Sequence, residues 1–371
     1  MSRVLGDQEV LAAVEARAAD SLEVMRFVHA HPELGHEEHE CSAFVAGRLA
    51  ATGFAVEPGV GGMETAFRAT LDGSRPGRTV GLVCLYDAVP AIREDGSVEP
   101  VHSCGHGPIA GGVTAAALAL ADCRDRLAGR VVVVGCPADE IHAPAAVVRG
   151  GGKALSAQAG VWDDVDAALY AHPEFIDTVS LQSRWMRRIR VRVAGARSLE
   201  GQPEPPLQAG LAVLAANERD VMVEHLRLDG DVEEGTGLVL LADILVFADA
   251  EAELEARCAA VRTLLPEGDW ASGTAVAGVR PDAQVTAVVA AAFGAMGRDF
   301  VADPPALPFA TDFGNITRRV PGALIGVGRP GGWSFHTDEG AQQFASTAGE
   351  DAAATIAGVL ALAAARLANP T

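Results

Sequence analysis

Arg130-Val131-Val132-Val133-Val134-Gly135-Cys136-Pro137-Ala138-Asp139-Glu140 is the stretch on which the fold turns. Four consecutive valines lack the alternation of a strand with one solvated face, so the run reads as a strand buried on both sides. Such strands belong to mostly parallel sheets with helices on both faces, and those sheets bind ligands at the carboxyl ends of their strands. This strand runs directly into two adjacent acids, Asp139 and Glu140.

Working outward, helical and strand signals alternate. Residues 9–29 and 41–52 read as helices, 65–71 and 79–85 as strands, and 109–123 as a helix. On the other side, 148–158 reads as a helix and 166–171 as a strand. The texture changes near Gln182. Arg187 to Val193 alternates basic and aliphatic residues, the pattern of a strand with one wet face, and is expected near a sheet edge. A helix at 206–225, a strand pair at 225–247, a helix at 251–265 and a strand at 275–279 complete a βαββαβ order, which predicts a small antiparallel sheet with helices on one face. From about 281 the first texture resumes, with a helix at 284–296, a strand at 323–327 and a helix at 347–367. The fold class expected is α/β, a mostly parallel-sheet domain formed by residues 1–183 and 282–371, interrupted by an inserted α+β domain at 184–281.

Composition narrows the function. Of 371 residues, 49% are hydrophobic and 21% charged, enough apolar surface to build a core. Asp plus Glu outnumber Lys plus Arg by 49 to 29, so nucleic acid and anionic membranes are not expected as partners. Lys153 is the one lysine. The uncharged run 352–365 is too short and alanine-rich to predict a bilayer span, and Met1-Ser2-Arg3 opens no signal peptide. The six cysteines, Cys41, Cys84, Cys104, Cys123, Cys136 and Cys258, form no CxxC, so reduced thiols and a cytoplasmic location are expected.

Several groups that can bind metal or titrate fall just beyond the predicted strands. Asp87 follows the strand at 79–85, Asp139 and Glu140 follow 130–136, and His172 follows 166–171. Cys104 and His106 lie on a glycine-containing loop before a helix. A thiolate, imidazoles and a carboxylate on one rim suit zinc or a neighbouring divalent transition metal. Cys104 as a nucleophile with His106 as its base is an alternative, though two residues on one tight loop rarely reach that geometry. His29, His31, His36 and His39 imitate a metal cluster, but amid Glu37, Glu38 and Glu40 they read as a solvated structural segment. Gly150-Gly151-Gly152-Lys153 lacks the spacing and hydroxyl of a phosphate loop.

Seven short motifs occur in order: His31-Pro32-Glu33-Leu34-Gly35, Tyr86-Asp87-Ala88-Val89-Pro90, His102-Ser103-Cys104-Gly105-His106, Pro137-Ala138-Asp139-Glu140, Ala171-His172-Pro173, Thr311-Asp312-Phe313-Gly314-Asn315 and His336-Thr337. Together they resemble the aminoacylase and carboxypeptidase-type metallopeptidases of family M-twenty, nearest the amidohydrolase subfamily of auxin-conjugate hydrolases, aminobenzoyl-glutamate hydrolases and β-alanyl dipeptidases. The resemblance implies a catalytic α/β domain and an inserted lid and dimerisation domain. It makes Cys104, His106, Glu140, His172 and His336 ligands of one or two divalent ions (zinc, manganese, cobalt or nickel), with Cys104 bridging. It makes Asp139 the general base, and gives Asp87 and Asp312 supporting roles. The activity implied is hydrolysis of an amide in a small N-acyl amino acid or dipeptide-like substrate by a homodimer.

The chain also departs from the family pattern. Asp139 stands where a Glu is usual, and Gly107 where an Asp or Asn follows the CGH motif. The stretch Gly195-Ala196-Arg197-Ser198-Leu199-Glu200 lacks the lid histidine, Thr236-Gly237-Leu238-Val239 replaces an Asn-Val-Val-Pro segment, and 141–149 resembles an insertion. These changes spare the ligand types and fall on proton transfer and oxyanion binding. They leave two further readings open: the same metal fold turned to cyclisation, condensation or a lyase-like step, and a catalytically silent binding protein.

Overall fold

The computed structural model describes residues 5–195, 205–230 and 237–369. Met1-Ser2-Arg3, Ala196 to Glu200 of the stretch lacking the lid histidine, and Thr236 lie outside them. The chain forms two compact units. One holds the chain up to Gln182, Val279–Ala306 and everything from Asp312 on; the other holds Ser183–Gly278 and the short return Leu307–Thr311.

The first unit begins with α1 (Asp7–Ala16) and α2 (Ala18–Ala30), where periodicity predicts one helix. Arg17 breaks them apart with φ −100° and ψ 9°, and its guanidinium donates to both carboxylate oxygens of Asp122 at 2.7 Å. Next come α3 (His39–Ala51), β1 (Ala55–Pro58), β2 (Phe67–Asp72), β3 (Arg75–Cys84), the hairpin β4 (Val89–Ile92) and β5 (Val98–Val101), α4 (His106–Asp122) and β6 (Ala128–Gly135). The predicted 148–158 helix is two short ones, α5 (Pro144–Arg149) and α6 (Gly152–Gln158), because Gly150 takes φ +98° between them. β7 (Ala167–Glu174) runs further than predicted, carrying His172 on the strand itself.

The second unit supplies β8 (Trp185–Ala194), α7 (Pro205–Ala215), β9 (Val221–Asp229), β10 (Val239–Ala248), α8 (Glu251–Thr263) and β11 (Asp269–Ser272). The first unit then closes with α9 (Ala283–Ala295), α10 (Phe313–Thr317), β12 (Gly322–Gly328), α11 (Asp338–Phe344) and α12 (Thr347–Leu367).

The sheet of the first unit has the order β1-β2-β6-β3-β7-β12. β6, β3, β7 and β12 are parallel, while β2 and β1 join antiparallel. Val131, Val132, Val133 and Val134 are all 0% exposed, as a strand covered on both faces requires. Each such side chain contributes about 1.5–3 kcal/mol of transfer free energy. By length and composition, α12 is the one described helix that could cross a membrane. In this fold, 78% of its apolar window is buried, and it packs against α4 and α9 as a core helix.

The sheet of the second unit is antiparallel throughout, in the order β11-β8-β10-β9. Ile189, Val191 and Val193 point into its core while Arg190 and Arg192 point outward, which is the alternation the sequence shows. Contrary to expectation, Arg187 to Val193 is not at an edge, because β11 covers Ile189 to Arg192. The edge strands are β9 and β11. Val276, expected within a strand, makes only an isolated bridge to Met186.

Candidate metal centre

The carboxyl ends of β3, β6 and β7 deliver the chemistry of the first unit to one place. Asp87 lies just past β3, Asp139 and Glu140 past β6, and His172 near the end of β7. Cys104 and His106 arrive from the start of α4, whose N-cap Gly105 has φ +90°. A Cβ at Gly105 would meet Pro173 at 2.7 Å, so this approach needs a glycine. His336 comes from the loop after β12, tied by its backbone N–H to the Ser103 carbonyl at 2.9 Å.

Two groups of donor atoms result, each within 4.8 Å of one another: Cys104, His106 and His172, and Cys104, Glu140 and His336. They share the Cys104 sulfur, which stands 3.3 Å from His336 Nε2 and 3.7 Å from His172 Nε2. His106 Nδ1 lies 2.7 Å from the Asp87 carbonyl oxygen and 2.9 Å from its carboxylate. Donation there leaves the Nε2 lone pair facing the other groups, the usual arrangement of a metal-binding histidine. His172 Nδ1 is likewise engaged, 2.7 Å from the Pro173 carbonyl oxygen.

A divalent cation fits this donor set. His106 Nε2 and Glu140 Oε1 are buried without a hydrogen-bond partner, a costly state for atoms aimed at one another's space. Electrostatics point the same way. Burial pushes the Cys104 thiol up, but the neighbouring imidazoles of His106, His172 and His336 outweigh it and hold the group well below its ordinary value. Burial opposes the charged form of His172 too, yet Cys104 and Glu174 raise it to about 10. Glu140 is pushed well up, first by burial and then by the Cys104 charge. Such a cluster holds protons on Glu140 and His172, and a divalent cation binding there would take the place of those protons. The other cysteines are buried, and burial raises each of them, Cys136 to about 12, as inert core thiols require.

Asp139, the general base that the resemblance implies, and Asp87, given a supporting role, differ in placement. Asp87 touches two of the donor residues: one oxygen faces His106 and the other accepts from the Glu140 N–H at 2.8 Å. Asp139 reaches the cluster, with Oδ2 3.3 Å from His106 Nε2. Its other oxygen pairs with Lys153, whose ammonium also lies 2.8 Å from Asp312 Oδ1. Burial raises the Asp139 carboxyl, but Lys153 and His106 override it and hold it far below the usual range.

Sequence reasoning missed Lys153 and Glu38. Lys153 had one available signal, being the sole lysine. Glu38 belongs to a segment expected to be solvated, and the structure corrects this. It is 0% exposed, accepting from the Ala138 N–H and the Thr65 hydroxyl at 2.8 Å each. His36 is buried as well, its Nε2 2.8 Å from the Gly150 carbonyl oxygen. Ala138, His36 and His336 are the described non-glycine residues with positive φ, and all three border this centre. Beside His172, Phe335 stacks on the imidazole at 5.9 Å, and the 61% exposed Phe175 meets Phe335 edge-on.

Comparison with known proteins agrees with this picture. The model of peptidase family M20/M25/M40 matches residues 86–365. Over 158 residues the chain is 32% identical to thermostable carboxypeptidase 2 of Saccharolobus solfataricus, an alignment covering 41% of this chain and 38% of that protein. It is 30% identical to human Xaa-Arg dipeptidase over 233 residues, covering 57% and 50%. The chain thus matches about two fifths to a half of the length of these curated relatives. Among solved structures, the YxeP protein of Bacillus subtilis, described as a dinuclear metal binding peptidase, superposes with TM-score 0.70 at 17% identity, covering 95% of this chain and 99% of that one. An aminobenzoyl-glutamate utilization protein from Klebsiella pneumoniae gives 0.69 at 16%, covering 95% and 98%. These two likenesses are of fold. The chain belongs to peptidase family M20/M25/M40.

Proposed function

We propose that this family member is a metal-dependent amidohydrolase that cleaves the amide of a small N-acyl amino acid or dipeptide-like substrate. The observation that carries the reading is the pair of donor groups sharing the Cys104 sulfur. Cys104, His106, Glu140, His172 and His336 would hold one or two divalent ions (zinc, manganese, cobalt or nickel). Bound there, the metal would acidify water and polarise the amide carbonyl.

The chain's own residues do the rest. Asp87 orients His106 and the Glu140 backbone together. Asp139, with one oxygen turned to the cluster, accepts the proton of the attacking water and returns it to the leaving nitrogen. Phe175 and Phe335 offer apolar surface next to His172 for the substrate's side chain or acyl group. Catalytic weight therefore rests on a carboxylate one methylene shorter than the family's usual Glu.

The second unit supports a homodimer. β9 ends the sheet on one side, and Leu207, Leu211 and Leu214 expose apolar surface along one side of α7. Light scattering should give twice the monomer mass. Six free cysteines suit a reducing compartment, and we place the protein in the cytoplasm.

The test is a hydrolysis panel of N-acetyl, N-benzoyl and dipeptide substrates with manganese- or zinc-loaded protein, in parallel with Asp139→Asn. Turnover should fall about 100- to 10,000-fold in the variant while metal content stays constant. A loaded protein that leaves the whole panel intact would move the assignment to a non-hydrolytic use of the same centre.

A further inference from the structure

We infer that Lys153 is a positioning residue for Asp139: its buried ammonium holds one carboxylate oxygen so that the other faces the metal-binding cluster. This rests on the reading of Asp139 as the proton acceptor. Lys153 is the only lysine of the chain, and its side chain has no solvent exposure. Its nitrogen contacts Asp139 Oδ1, lies 2.8 Å from Asp312 Oδ1 and stands 5.3 Å from the centre of the Tyr170 ring. Stability alone does not explain a cation here. A buried ion pair is often no better than apolar groups of the same volume, because the desolvation of both charges offsets their attraction.

The surrounding loop is shaped to bring the amine in. A Cβ at Gly151 would collide with the Asp312 carboxylate, and one at Gly152 with the Pro137 carbonyl. Asp312 is itself fixed, its second oxygen accepting from the Ala154 N–H at 2.9 Å. Asp312 therefore anchors the ammonium, and the ammonium anchors Asp139. What remains of Asp139 is Oδ2, 3.3 Å from His106 Nε2. An aspartate has less reach than the family's usual Glu, so its rotation matters more. Misplacing a reacting group by about 1 Å costs on the order of 100-fold in rate. Lys153 and Asp139 form one device, a short acid steered by a long base.

Lys153→Met combined with Asp312→Asn tests this, because removing one ammonium and one carboxylate leaves the net charge of the cluster unchanged. The thermal midpoint and metal content of the double variant should stay near those of the parent. On the fastest-cleaved N-acyl amino acid of the panel, kcat should fall by at least about 30-fold while KM changes by less than about threefold. In an Asp139→Asn background the same two changes should lower the residual rate by less than about threefold, since no carboxylate is left to orient. A double variant within threefold of the parent kcat overturns the proposal, as does an undiminished loss in the Asp139→Asn background. Should the double variant fail to fold, a crystal structure of the manganese-loaded parent decides. Lys153 Nζ in contact with Asp139 upholds the proposal, and separation of the two overturns it. Parental kcat in Asp139→Asn alone would instead sink the assignment of the proton acceptor, which is a separate result.

Discussion

The two units each gather charged side chains, and they do so in opposite ways. On and around the sheet of the second unit, arginines meet acids in pairs and short chains, such as Arg184 between Asp220 and Asp249. Arg190 meets Asp243 across the strands with two 2.8 Å hydrogen bonds, Arg184 meets Asp220 at 2.7 Å, Arg187 meets Glu255 and Arg188 meets Glu224. His225, the one histidine between 184 and 281, lies 53% exposed within 3.9 Å of Asp243. At the strand ends of the first unit, acids, imidazoles and a thiol converge, and His106 Nε2 and Glu140 Oε1 are buried without a hydrogen bond. In the second unit each of these arginines faces an acid, so charge is balanced locally; in the first, acids and imidazoles crowd around one sulfur, the kind of cluster that marks a candidate site.

Cys104→Ala should break the contrast most. Both donor groups lose their shared atom, so bound metal should drop by at least about half and hydrolysis on the order of 1000-fold or more. Elemental analysis beside the panel assay reads both, and full metal retention would remove Cys104 from the ligand set. Gly151→Ala is next: its Cβ would press on the Asp312 carboxylate, and we expect a loss of about 2–3 kcal/mol in a denaturant melt. Gly47→Ala, a helical glycine with open space around it, is the control and should be neutral or slightly stabilising.

Glu38 sharpens the comparison as an intermediate case, a buried acid whose partners are all donors. Burial, then Asp87, raises it to about 8 from an ordinary 4.5. Between those values the unfolded chain is ionised while the folded one keeps its proton, so raising the pH favours unfolding. The stability this group contributes is complete below pH 4.5 and is lost as pH climbs toward 8. Urea melts at pH 5 and pH 6.5 should differ by about 2 kcal/mol more in the parent than in Glu38→Gln. Equal pH slopes would mean that Glu38 is ionised in the fold. Smallest of all is Arg190→Ala, whose partly exposed pair should be worth about 1 kcal/mol or less and whose loss should leave metal content untouched.

What the sequence revealed and what it hid divide along the same line. The valine run, the acids behind it and the Cys104–His106 loop are local patterns, and periodicity reads local patterns well. The same holds for the βαββαβ order of the second unit. Pairings between distant segments were hidden. β11 covers β8 across about eighty residues of chain, so no pattern inside Arg187 to Val193 could place that strand in the interior. Glu38 looked solvated among Glu37 and Glu40 because its partners, Thr65 and Ala138, are 27 and 100 residues away. The break at Gly150 inside a predicted helix had a visible sign in three consecutive glycines. Their reason, the approach to Asp312 and Pro137, required the fold.

The burial of Lys153 also sets how the protein meets amine-directed reagents. Its surface carries no lysine amine, so acylating dyes, lysine cross-linkers and amine-coupled supports find no side-chain target while the fold is closed. Slow acylation of Lys153 would then count openings of the loop that shields it, much as amide exchange counts openings of a helix. A single side-chain amine, buried against Asp139, makes the chain a ready-made reporter of how often this cluster comes apart.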